Sequence, residues 1–169
     1  MIEEKKAGRE QENVLIMVER LAFLHYAFAK AISDALPSPQ AEELIHTAIR
    51  TYGQLTADSV TKKLQEQGME PKLKNYKYGK DLPSVGWEIS PMEMPAGKAA
   101  GKISKVNFCP LAKIWENLGD DGIRLGRAYC YVDQEKYRAY GKGYQCFHDQ
   151  NTLDGADCCV IRVEQGSEE

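Results

Sequence analysis

The stretch Lys102-Ile103-Ser104-Lys105-Val106-Asn107-Phe108-Cys109-Pro110-Leu111-Ala112-Lys113-Ile114-Trp115 changes its period half-way. As far as Phe108 polar and apolar residues largely alternate, as in a strand with one wet face, and from Pro110 the pattern becomes helical. The sequence therefore predicts a strand over residues 102–108 that runs through Cys109 into a short helix over 110–118, stopped by Gly119.

The rest of the fold extends outward from that junction. Upstream, Val14, Val18, Leu21, Ala22, His25, Ala29 and Ile32 recur at spacings of three and four and predict an amphipathic helix over 13–35. Ser38-Pro39 is read as the N-cap and first turn of a second long helix that ends at Gly68. A strand over 85–89 and a Pro-rich loop over 90–97 follow. Downstream of the junction, a helix over 121–140 precedes strands over 144–148 and 158–163, joined by a turn-rich segment. The expected fold is α+β: two long N-terminal helices, a roughly four-stranded antiparallel sheet and a helical insert between strands. It is read as one domain over 13–165, behind a flexible N-terminal tail over 1–12, with the last four residues solvated.

A net charge of -3 and a pI near 5.7 lack the basic excess that binding a phosphate backbone requires, so nucleic acid is not an expected partner. No run approaches ~18 apolar residues and the N-terminus has no apolar signal core, which points to a cytoplasmic protein without a membrane segment. The expected partner is a small-molecule substrate or ligand, and a homodimer is left open. The five cysteines form an odd set and read as reduced thiols. With Pro110 as first helical residue, Cys109 is the N-cap, where free N–H groups and the helix dipole favour a thiolate nucleophile or metal ligand. The simpler alternative is a small buried residue covering the helix end.

The order Cys109-Pro110-Leu111-Ala112, Trp115 with Leu118-Gly119, Tyr129-Cys130 with Asp133, and Thr152-Leu153-Asp154-Gly155 leading to Cys158-Cys159 resembles the L-2-amino-thiazoline-4-carboxylic acid hydrolase family. Of the adjacent pair, Cys159 fits that pattern, in which a glycine, here Gly155, is followed by three residues and then the cysteine, and on a strand it shares a face with Ile161 and Val163. The resemblance implies opening of a cyclic amidine by attack at its amidine carbon, with Cys109 as thiolate nucleophile and Asp154 or Asp157 moving protons. A second version implies a zinc-activated water, the metal held by Cys109, Cys130, His148 and Cys159. A looser similarity to 4-vinyl-reductase type domains implies instead a non-catalytic sensor of a small molecule or metal. Both versions of the site require Cys109, Cys130 and Cys159 to converge on one pocket. His25 and His46 read as structural, the cluster Asp133, Glu135, Lys136 and Arg138 as a solvated helix face, and Trp115 with the later tyrosines as core.

Overall fold

A computed structural model describes residues 2–83, 85–94, 101–141 and 143–165, with side chains from Gly8 onward. The apolar stripes of the N-terminal half form two long helices, α1 (Ile2–Ala35) and α2 (Ser38–Glu66), followed by a 3-10 turn (Leu73–Gly79). Strands β1 (Glu88–Met92) and β2 (Gly101–Phe108) come next, then the helical insert: α3 (Pro110–Glu116), α4 (Gly119–Tyr129) and α5 (Val132–Tyr140). Strand β3 (Tyr144–Gln150), a 3-10 turn (Thr152–Asp154) and β4 (Cys159–Gln165) complete the described chain. The four strands form one antiparallel sheet in the order β1-β2-β4-β3, so the fold is the expected α+β arrangement.

Several boundaries differ from the sequence reading, each for a local reason. Helix α1 begins at Ile2, and its side chains from Gly8 to Asn13 are exposed, so the solvated start is helical. Pro37, not Ser38, caps α2; Ser38 is already helical and its hydroxyl donates to Glu42 at 3.0 Å. The first strand lies three residues later than expected and includes Pro91, which an edge strand tolerates because one row of N–H groups is unpaired. Residues 95–97 of the expected loop and the last four residues lie outside the described ones. The single helix expected over 121–140 is two, broken at Cys130 and Tyr131. There the N–H groups reach back only three residues, Cys130 to Arg127 and Tyr131 to Ala128, and no glycine or proline announces the break.

Directly opposed residues in an antiparallel pair share a face. Val106 opposite Cys159, Ser104 opposite Ile161, and Lys102 opposite Val163 therefore give the sheet one inner face. His148 and Cys146 extend the last two rows on β3. Helix α5 packs on β3 and α2 on α5. At the other end of the helical layer Trp115, 1% exposed, donates its indole N–H to the Ala22 carbonyl of α1 at 3.1 Å. Its ring lies against Gly126, where an added Cβ would sit 2.5 Å from the indole. We expect Gly126→Ala to cost about 1–3 kcal/mol in a urea unfolding titration. Gly8→Ala, which meets nothing within 4 Å, should be neutral or stabilising.

Candidate active site

A cavity of about 400 Å³ lies between α2, the segment 80–89, the inner face of the sheet and the helical insert. By area its walls are mainly apolar, with Leu55, Val60, Trp87, Val106, Leu111 and Ile161 among them, and polar side chains also line it. Three are sulfurs. Cys109 leaves β2 and caps α3 with extended backbone (φ -121°, ψ 112°). Cys159 opens β4 beside Val106, and Cys130 sits at the break between α4 and α5. The structure thus brings Cys109, Cys130 and Cys159 to one cavity, while Cys158 turns away toward the Gln150 side chain at 3.5 Å.

Each of the three sulfurs faces an N–H donor. Cys159 receives the Thr152 backbone N–H at 3.4 Å. Cys109 faces the Leu111 and Ala112 amides at the start of α3, and Cys130 the Asn151 side chain. The expected thiolate at Cys109 does not follow. Burial raises its pKa and outweighs the helix amides, which lower it. Burial likewise pushes the Cys130 thiol up to about 12 against the Asn151 contact.

The deepest polar structure is one that the sequence reading assigned to solvent. Lys136 is 6% exposed, and its ammonium binds Asp81 at 2.6 Å and Asp133 at 2.7 Å. Glu135 and Arg138 of the same cluster pair with each other; Arg138 is exposed, and Glu135 is half-buried against Gly53 of α2. Burial favours neutral forms, yet the two carboxylates hold Lys136 protonated well above its ordinary range. For Asp133 burial also works against the charge, but Lys136 and His148 override it and keep its pKa well below the usual carboxylate value. Periodicity held a signal for this: Tyr129, Val132, Asp133, Lys136, Tyr137 and Tyr140 share one stripe at spacings of three and four, so the charges lie on the apolar face. Nothing local marks Asp81, which arrives from the coil after the first 3-10 turn.

His148 joins this network. Its Nε2 lies 3.0 Å from Asp133 and its Nδ1 3.0 Å from the Asn151 amide nitrogen. Asn151, 2% exposed, caps the second 3-10 turn by accepting the Leu153 N–H on Oδ1 at 2.9 Å, which turns its nitrogen toward His148. An amide nitrogen only donates, so Nδ1 is the acceptor and Nε2 carries the hydrogen given to Asp133. Asn151 therefore fixes the tautomer.

The proton-moving carboxylates expected from sequence are elsewhere. Asp154 is exposed and binds Arg127 through both oxygens at 2.9 and 2.8 Å, and Asp157 is exposed at the turn before β4; neither borders the cavity. Nor do Cys109, Cys130, His148 and Cys159 suit a zinc ion as arranged. Both ring nitrogens of His148 are engaged, and among the described residues no three His, Cys, Asp or Glu groups stand close enough to hold a metal. His25 is structural, bound to the Leu125 carbonyl at 2.9 Å and packed edge-on against Trp115 and Tyr129.

With Cys109, the Trp115 core and the Thr152–Cys159 turn in place, the motifs of the sequence stand in one structural unit. A family model described as L-2-amino-thiazoline-4-carboxylic acid hydrolase matches residues 16–163. The chain belongs to this family. Membership supports a hydrolase-like function; no curated protein matches the chain. Among solved structures, a trafficking protein particle complex subunit 3 from Naegleria fowleri, covalently bound to palmitic acid, is similar over 88% of this chain and 95% of that one. The TM-score is 0.55 and the identity 14%, a likeness of fold. Among the described residues no helix is long and apolar enough to cross a membrane.

Because the folded pKa of Asp133 lies below its unfolded value of ~3.9, its charge contributes stability above that pH and loses it as pH falls toward the folded value. Urea unfolding at a series of pH values should show the free energy falling between about pH 4 and pH 2, and falling less steeply in Asp133→Asn.

Proposed function

We propose that the chain hydrolyses a small cyclic amidine carrying a carboxylate, the thiazoline carboxylate of the family name being the first candidate, with Cys109 as nucleophile. The observation that carries this reading is the meeting of Cys109, Cys130 and Cys159 with the Asp81–Lys136–Asp133–His148 network around one cavity of about 400 Å³. Its apolar walls suit a ring, and the polar groups that line it suit orientation of a polar substrate.

In this reading the Cys109 sulfur bonds to the amidine carbon as the C=N double bond opens, and the thiol proton passes to the amidine nitrogen of the substrate. The Leu111 and Ala112 amides stabilise the partial charge that develops on sulfur as the proton leaves. An endocyclic bond of that carbon then breaks, and the departing atom takes a proton. Cys130, whose raised pKa keeps it a thiol at neutral pH, is one donor bordering the cavity. Water adds to the same carbon and expels the Cys109 sulfur; its oxygen becomes the product carbonyl, and its two protons return to the Cys109 and Cys130 sulfurs. Asp154 and Asp157 take no part.

The test is ring opening of the thiazoline carboxylate by the purified full chain. Cys109→Ala should lower turnover by at least ~10³-fold, comparable to losing a catalytic nucleophile. Cys146→Ala, in the separate apolar cluster beneath α5, should retain turnover. Because burial raises the Cys109 pKa, the wild-type rate should still be rising with pH through the ordinary thiol value of ~8.5. A rate unaffected by Cys109→Ala would remove the proposed nucleophile.

The apolar lining also favours a second reading, a holder of an acyl chain, which the palmitic acid on the similar trafficking subunit supports. Intact-mass spectrometry of the purified chain before and after hydroxylamine separates the two readings. A hydroxylamine-sensitive acyl adduct without turnover supports the holder.

A further inference from the structure

The cavity contains a cation that the proposed chemistry leaves unused. We propose that Lys136 is the anchor for a ligand carboxylate and that the Asp81 carboxylate occupies this position as an internal stand-in. This deepens the hydrolase reading and rests on it for the identity of the substrate.

Lys136 borders the cavity, and its two anionic partners are held differently. Asp133 is built into α5 three residues away, and its other oxygen receives the His148 N–H, which Asn151 holds in turn. Asp81 belongs to no helix or strand. It reaches in from the segment between the first 3-10 turn and β1, with one oxygen, Oδ2, accepting both the Lys136 ammonium at 2.6 Å and the Tyr76 hydroxyl at 2.9 Å. The residue before it, Lys80, has φ 52°, a left-handed conformation that a side-chain-bearing residue adopts at a cost. That strain is placed where it directs Asp81 inward.

Charge decides how an anion would enter. Near Lys136 lie Asp81, Asp133, His148 and the half-buried Lys102, which rests over the Tyr76 and Tyr137 rings. With both carboxylates in place the two lysines are already compensated, so a third anion gains little. A ligand carboxylate that replaces Asp81 exchanges like for like and leaves Asp133 and His148 undisturbed. The ligand class is a monocarboxylate whose ring or short chain lies against Val106, Ile161 and Leu111.

Calorimetric titration of the full chain with octanoate and with neutral octanamide tests this without turnover. Asp81→Asn should bind octanoate roughly tenfold more tightly than wild type and octanamide within about twofold of it. Lys136→Met should abolish the preference for octanoate over octanamide. If Lys136→Met does not fold, Tyr76→Phe, which removes one of the two bonds on Asp81, should shift octanoate in the same direction as Asp81→Asn by about two- to threefold. Octanoate binding that is no tighter in Asp81→Asn, or an equal gain for octanamide, overturns the proposal. Failure to open the thiazoline in the same preparation would bear on the hydrolase reading alone.

Discussion

A protonated lysine held almost out of water between two carboxylates is the constraint on which the rest of the structure depends. Moving an ammonium out of water costs several kcal/mol, and the attraction of Asp81 and Asp133 offsets that cost only if the geometry is kept. The partners come from different places. Asp81 follows the first 3-10 turn, Asp133 and Lys136 lie on α5, His148 on β3, and Asn151 caps the turn before β4. Satisfying one charge therefore fixes the relative positions of a coil segment, a helix, a strand and a turn. Such a network is weak evidence of added stability and stronger evidence that one arrangement is specified. It also forms one wall of the cavity, so the geometry kept for Lys136 is kept for whatever binds there.

The cysteines illustrate a competition between two effects of unequal size. A helix N-terminus is worth ~0.3–1 kcal/mol to an anion, less than one pKa unit, whereas full burial moves a pKa by up to 3–5 units. At Cys109 the amides and the burial act in opposite directions and burial prevails. The thiols are thus protected, and chemistry at Cys109 requires that attack be driven by a bound electrophile held at short range. That separates this site from surface thiols tuned for ready ionisation.

The sequence by itself determined the order of helices and strands, apart from the break at Cys130 and Tyr131 and the 3-10 turns. Alternation over residues 102–108, the helical stripes of α1 and α2, and the turn-rich segment before β4 are local consequences of burying one face of each element. The cysteine company around Pro110 and Gly155 was also legible, because a helix start and a left-handed turn leave residue-specific marks. Cys159, rather than Cys158, could be assigned to the inner face from strand alternation alone.

Tertiary structure decided the electrostatics. Whether Asp133 and Lys136 face water depends on what covers α5, and the charged residues were read as a solvated face although their spacing followed the apolar stripe. Asp81 lies 55 residues from Lys136, and no local pattern encodes that pairing. The same holds for Asp154, whose carboxylate is placed outside the cavity by a bond to Arg127 on α4. Period and turn chemistry act over a few residues and can be read directly, whereas burial of a charge, and hence its pKa and its use, is fixed only when distant elements close around it.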